Sequence, residues 1–455
     1  MPDSGRFGRR WFPHLSRPPA VPWPPRSAYL HIPFCHRRCY YCDFPVVPLG
    51  DRAGAAPGQS GAASIAAYLE LLHREIAGAP PGPPLSTIYF GGGTPSLLLP
   101  EQLAALLASL RRHFGIAPAA EITLELDPAS FDQARLRGYL EAGINRVSLG
   151  GQSFDDAVLN ALGRRHRCGD LLKAAGWLAE AACQGRLHSW SLDLIQGVPG
   201  QDLAGWGQQL RQAIDLAPPH LSVYDLTIEA GTVFARREER GELALPDAEL
   251  AADLMELTAR ELGDAGYGHY EVSNYALPGH AARHNRVYWS GAGWWGFGQR
   301  ATAAPWGARQ ARPRTREAYA AWLTDARGSA ALTAPTVASG PGVPLDERLL
   351  VGLRRREGVH LPGLLTEAGG PFREPHGQRA LADLRRRLAG FRERGVLLEE
   401  GPRWRLSDPA GLALSNAVLR DCLLWWDHWS GDGAAAPASP AAPAPPGNGR
   451  AAAVG

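Results

Sequence analysis

Lysine is nearly absent: Lys173 is the single example in 455 residues, so the positive charge is almost all arginine. With abundant Ala, Gly and Pro, this reflects GC-rich coding rather than a chemistry that needs arginine. Charge of one sign is not in excess either. The formal net charge of +2 leaves no global field to draw the chain to nucleic acid or a membrane surface. No apolar run approaches the roughly 18–20 residues of a membrane helix. The first residues carry Arg6, Arg9 and Arg10 and are Pro-rich to Pro25, without the apolar core of a secretory signal. No lipobox or prenylation box is present, and the expected location is cytoplasmic. Cysteine is scarce: there are six, of which Cys168, Cys183 and Cys422 are scattered singly and read as small core hydrophobes. The other three, Cys35, Cys39 and Cys42, fall within eight residues. In a reducing compartment, clustered thiols indicate a metal rather than a disulfide.

What the chain has in plenty, from Ser27 onward, is short apolar strands alternating with amphipathic helices. Strands are expected at 28–32, 87–90, 122–126, 146–150, 189–195 and 221–226. Helices are expected at 63–77, 101–114, 131–142, 169–184 and 203–216, with another at 247–265. This order predicts an α/β fold with a parallel sheet and right-handed crossovers. Six units in about 200 residues suit a partial (β/α)6 barrel better than a closed eight-unit one. Barrel chemistry gathers at the C-terminal strand ends, and Cys35, the Gly91–Pro95 turn, Glu125, Asp127, Gln152, Asp193, Thr227 and Glu229 all fall there. The expected organisation is a Pro/Arg-rich extension at 1–26, the barrel at 27–277 and an irregular Trp-, Gly- and Arg-rich connection at 278–334. A smaller helical, winged-helix-like domain at 345–430 and a disordered Ala/Pro tail at 431–455 complete it. Within the small domain, 346–355 and 378–394 read as helices and 396–406 as a short β-hairpin.

Cys35-x-x-x-Cys39-x-x-Cys42 puts three thiolates on one short loop. A four-iron cube takes one ligand per iron, so three leave one iron open to an exchangeable ligand. Zinc wants four Cys or His ligands, and His31 and His36 stand close enough in sequence to complete such a set. Spacing alone leaves both open. The surrounding YLHIPFCHRRCYYCDF at 29–44 closely resembles the cluster loop of the radical-SAM family, in its branch of coproporphyrinogen dehydrogenases (HemN) and HemW proteins. The likeness continues through GGGTPS at 91–96, TLELDP at 123–128, SLGGQSF at 148–154 and LGRRH at 162–166. It extends to SLDLIQGVPGQ at 191–201 and LTIEAGT at 226–232, and covers roughly residues 27–425.

The resemblance implies a radical-SAM barrel with a [4Fe–4S] cluster on Cys35, Cys39 and Cys42 and S-adenosylmethionine (SAM) beside it. On the matching positions Tyr29 and Tyr41 would line SAM, Gly92, Gly93 and Thr94 would contact its methionine end, and Glu125 would contact it as a carboxylate. Gln152, Arg164 and Asp193 match residues that contact a second SAM in HemN-type enzymes. For Gln152 and Arg164, plain polar packing at the barrel mouth is the alternative. The implied chemistry is one-electron cleavage of the sulfonium to a 5′-deoxyadenosyl radical.

HemN-type enzymes carry a further cysteine two residues past the third, where this chain has Phe44, and a longer segment before the loop. Both departures argue against coproporphyrinogen III dehydrogenase activity, the alternative that the resemblance allows. HNRVYW at 284–289 matches the HNxxYW signature of the HemW branch, whose members are regarded as haem chaperones. The resemblance therefore implies a chaperone that binds haem through His284 and passes it to an acceptor protein. Histidine is a common haem ligand, and Trp289, Trp294 and Trp295 suit packing on a porphyrin face. A structural histidine capping the barrel is the alternative, and His280 is a weaker ligand candidate. Where relatives carry a small, Gly/Ala/His-rich stretch after the signature, this chain reads GFGQRAT at 296–302. The C-terminal arginines, Arg385–Arg387 among them, read as a solvated helix face or as contacts to haem propionates. A docking role is expected for that module, and no nucleic-acid partner.

Overall fold

The computed structural model describes residues 24–307, 309–325, 343–368, 372 and 376–430; most of the expected N-terminal extension and all of the Ala/Pro tail lie outside them. Strands β1 (Ser27–Ile32), β2 (Leu85–Gly92), β3 (Ile116–Leu126), β4 (Arg146–Gln152), β5 (Ser189–Gln196) and β6 (His220–Asp225) lie side by side in chain order, all parallel. Crossing between them are α1 (Ala62–Gly78), α2 (Pro100–His113), α3 (Gln133–Ala142), α4 (Asp156–Ala161), α5 (Cys168–Cys183) and α6 (Leu203–Asp215). After α7 (Val233–Glu238) and α8 (Ala248–Asp264), two short strands, β7 (Gly268–Glu271) and β8 (Asn274–Ala276), add antiparallel to the β6 edge. The two end strands of this nine-stranded sheet do not pair with each other, so the barrel is partial.

Strand alternation explains both the core and the site. On β2 to β6, Ile88, Phe90, Ile122, Leu124, Val147, Leu149, Leu192 and Leu221 all pack into one apolar cluster with the helices. Their strand neighbours point the other way, into the barrel. Those positions are polar: Thr87, Glu121, Thr123, Arg146, Ser189, Ser191, His220 and Ser222 are all buried. A parallel strand covered on both faces usually reads as continuously apolar. Here the interior face is hydrophilic, and each buried polar group needs a partner.

The 278–334 segment is less irregular than expected. Helix α9 (Arg283–Ser290) and strand β9 (Trp295–Phe297) lie within it, and β9 pairs parallel with β1 as a seventh parallel strand. Three residues with a central glycine are too short to show a period, which is why the strand is silent in the sequence. A hairpin of Thr302–Ala303 against Gln310–Ala311 and helix α10 (Arg316–Trp322) follow.

The C-terminal residues form their own apolar cluster, from Leu345 to Trp425. Helix Leu345–Gly352 leads into a three-stranded sheet ordered Val359–His360, Arg403–Leu406, Leu397–Glu400, with helices Leu361–Ala368 and His376–Arg387 inserted, as in a winged helix. The expected single helix at 378–394 breaks at Leu388, and Ser415–Ser430 adds a helix that the sequence reading missed. Arg385 pairs with Glu399, and Arg386 and Arg387 with Asp383, so this arginine run is a solvated face knit by surface ion pairs. The module packs under the barrel: Arg286 of α9 pairs with Glu357, and His269 Nδ1 meets Asp408 Oδ1 at 2.7 Å. Among the described residues no helix is long and apolar enough to cross a membrane.

A candidate cofactor site at the barrel mouth

Beyond β1 the chain turns at Phe34–Cys35, which pairs with Val47–Pro48 and closes the cysteine loop at its base. The loop is then docked across the barrel. Tyr40 N donates to Leu162 O at 3.0 Å, and Arg37 donates to Gly163 O and Arg164 O at 3.1 and 2.8 Å. Cys35, Cys39 and Cys42 all face a cavity of about 570 Å³. Thr94 Oγ1 donates to Cys35 Sγ at 3.4 Å. A Cβ at Gly93 would lie 2.7 Å from Phe34 O and 3.0 Å from Cys35 Sγ, and Gly92 sits at φ +115°. Both positions therefore require glycine.

Burial pushes the Cys35 and Cys42 thiols up to about 12 and about 11. Cationic iron would reverse that shift, because it is the thiolate that ligates metal. No three His, Cys, Asp or Glu side chains among the described residues approach closely enough to hold one metal ion. Of the two histidines suggested as a fourth zinc ligand, His31 is buried against Tyr29 and Pro45 O, while His36 lines the cavity with the cysteines. A cube spreads its ligands further than a single zinc ion does, so the donor set fits the cluster.

The same cavity gathers Tyr41, Gly92, Gly93, Thr94, Glu125, Gln152, Arg164 and Asp193. Glu125 accepts from Tyr89 OH at 2.8 Å and Gly92 N at 3.0 Å, and burial raises its carboxyl to about 7. Arg164 bridges Asp127 (2.7 Å), Gly150 O (2.9 Å) and Cys39 Sγ (3.7 Å). Its guanidinium holds the Asp127 carboxyl well below the usual range despite burial. Arg164 Nε is buried without a hydrogen-bond partner. Asp193 accepts from Ser148 at 2.6 Å and Ser191 at 2.8 Å, while burial raises it. Gln152 is held at φ +66° where β4 bulges against β5, turning its side chain to the mouth. Such strain is tolerated where surrounding structure fixes it. Sequence reasoning missed Tyr89, Ser148 and Tyr224 in this lining. Their signal was the polar alternate position on strands otherwise rich in Ile, Leu and Val.

Two expected site residues lie elsewhere. Tyr29 stands behind the cavity, stacked on Tyr89 at 6.1 Å, with its hydroxyl 3.0 Å from His31 Nδ1. His284 is at the opposite end of the barrel. Its backbone N–H and that of Arg283 donate to Glu121 in the middle of β3, which seats α9 as a floor under the sheet. The His284 ring is fully buried, 2.8 Å from Thr87 Oγ1 through Nδ1 and 2.8 Å from Tyr288 OH through Nε2. It stacks on Tyr89 at 5.2 Å, and burial lowers it to about 3. Both nitrogens are committed and no face is open, so the expected iron contact is not presented here. Trp295 is fully buried between Phe114 and Trp306, with no face free for a porphyrin. His280 Nδ1 is 3.0 Å from Ser189 Oγ.

A parallel partial barrel carrying three cysteines on the loop after its first strand defines the class, and the Radical SAM superfamily model matches residues 29–208. Relatives sharpen this. A protein named heme chaperone HemW from Synechocystis is 40% identical over 408 residues, covering 87% of this chain and 95% of that protein. One of the same name from Lactococcus lactis is 31% identical, covering 88% and 98%. The chain belongs to the HemW family. Among solved structures, the coproporphyrinogen III oxidase HemN of Escherichia coli shares its fold, with TM-score 0.67, 21% identity and coverage of 89% and 91%.

Proposed function

We propose that this protein is a haem chaperone, the term by which its relatives are named, and that it binds haem and delivers it to an acceptor protein. Cys35, Cys39 and Cys42 hold a [4Fe–4S] cluster and the mouth cavity holds SAM. The observation that carries the cofactor part is the convergence of three thiols, the Gly92–Thr94 turn, Glu125 and Arg164 on one cavity. Near-full-length likeness to proteins named heme chaperones carries the rest. When bound, cluster and SAM supply one-electron chemistry at the sulfonium. The chain's own contribution is placement: Glu125 receives an ammonium group, Arg164 ties Cys39 to Asp127 and the end of β4, and the docked loop covers the site from water.

The test uses the full chain, reconstituted anaerobically and titrated with haem. One haem per chain that survives gel filtration is expected, with delivery to an added haem-accepting apoprotein. Conversion of coproporphyrinogen to protoporphyrinogen with SAM and reductant would overturn the reading in favour of the dehydrogenase.

Glu125 gives a pH signature. Its carboxyl ionises near 7 in the unliganded fold, so SAM affinity is expected to rise about tenfold from pH 6 to pH 8 as the charge appears. The fold responds with the opposite sign. A carboxyl raised from 4.5 to about 7 by burial binds its proton more tightly when folded, so stability falls as pH rises through that window. Calorimetric titration of Glu125→Gln should show weaker SAM binding at pH 8 and no rise with pH.

His284→Ala should leave the haem absorption spectrum unchanged and cost about 2–4 kcal/mol of stability through lost packing and two stranded hydroxyls. Loss of the haem spectrum with an unaltered unfolding curve would restore the ligand role.

A further inference from the structure

A second cavity, of about 320 Å³, lies on the other face of the cysteine loop. Arg38 and Val46 line both cavities, so the loop segment around Val46 is their shared wall. One side is apolar, with Pro45, Val46 and Val47 half-buried over the fully buried Phe34 and Tyr68. The other carries four arginines, Arg38, Arg300, Arg314 and Arg316, against a single carboxylate, Glu317. Among the described residues none of the four arginines is in an ion pair. Arg316 donates to Ser64 Oγ at 3.0 Å and Arg38 to Phe44 O at 3.0 Å, while the Arg300 and Arg314 side chains make no hydrogen bond among the described residues.

The arginines are placed rather than incidental. Arg300 has φ +59°, a conformation that costs a non-glycine residue free energy and persists only where the surroundings impose it. Arg300 N donates to Pro313 O at 3.0 Å and Arg312 N to Ala301 O at 2.8 Å, which sets Arg300 beside Arg314. Behind this pair, buried Glu75 accepts from Gly298 N at 2.7 Å and Arg312 Nε at 2.6 Å. The segment is therefore clamped from within while two guanidinium groups are left unpaired toward the cavity. Guanidinium forks match carboxylates bidentately.

We propose that this chamber receives the propionate carboxylates of the haem that the protein carries, with one edge of the macrocycle against the Pro45–Val47 wall. The inference rests on the haem reading above and gives it a location, the arginine chamber beside the cysteine loop instead of the barrel floor. A porphyrin with two carboxylates on one edge combines the two chemistries that the chamber offers.

The experiment compares haem with haem dimethyl ester, which keeps iron and ring but removes both charges. Each is titrated into the cluster-reconstituted full chain and into the double variant Arg300→Gly/Arg314→Ala. Glycine adopts positive φ freely, so the variant relieves strain, and its iron content and unfolding curve confirm that it folds. Wild type is expected to bind haem about 10- to 100-fold more tightly than the ester, the variant to lose that preference, and added salt to erode it. A variant that keeps wild-type haem affinity, or a wild type that binds ester and haem equally, overturns the chamber alone. A wild type that binds no haem overturns the functional reading together with it.

Discussion

Replacing Cys39 with alanine is expected to reduce bound iron and sulfide from about four each per chain to less than about one. The broad visible absorption of the reconstituted protein should vanish with them. Three thiols face the cavity and each has a separate anchor: Cys35 on the short strand after β1, Cys42 through its N–H to Cys39 O at 3.3 Å, and Cys39 beside Arg164. With Cys39 gone, two cysteine ligands remain for four irons, and of the neighbouring histidines only His36 shares the cavity. His31 is engaged at both nitrogens and, buried, is lowered to about 4. Cys168→Ala is the matched control, since that thiol begins α5 and does not line the cavity. It should leave iron, sulfide and spectrum intact. Four irons retained by the Cys39 variant, or a wild type that takes up zinc without sulfide, would sink the cluster assignment.

The six-unit barrel was legible because every expected strand carries Ile, Leu, Val or Phe and is flanked by turns, and some of the following helices start at a capping aspartate, Asp132 and Asp202 among them. The mouth was legible for the same reason: once the strands are placed, their ends are placed. What stayed hidden depends on chain reversal over long separations. His284 lies 197 residues from Thr87, and nothing local reveals that its helix closes the floor instead of the mouth. A signature motif told that the residue matters, and the structure shows it as a packed support for Tyr89 and, through it, Glu125. The arginine chamber draws on residues near 34–47, 64–68, 299–300 and 314–317, so no spacing rule could assemble it.

Glu75→Ala is expected to lower stability by about 3–5 kcal/mol. Glu75 and Arg312 are both buried, and the carboxylate also accepts from Tyr319 OH at 2.5 Å and Gly298 N at 2.7 Å. Removing it strands a buried guanidinium whose Nη2 already lacks a partner, along with a phenol and an amide. Tyr319→Phe removes only one of these bonds and should cost about 1 kcal/mol. The double variant Glu75→Leu/Arg312→Leu, which takes out both charges, should regain much of the loss, because a buried pair compensates its own desolvation poorly. Urea unfolding of the three variants separates these cases. Haem titration then tests the coupling. If the clamp serves the chamber, the double variant folds as well as wild type or nearly so, yet binds haem more weakly, because Gly298 N and Arg312 no longer hold Arg300 and Arg314 side by side. Equal haem affinity in a folded double variant would show that the clamp supports the fold without positioning the ligand.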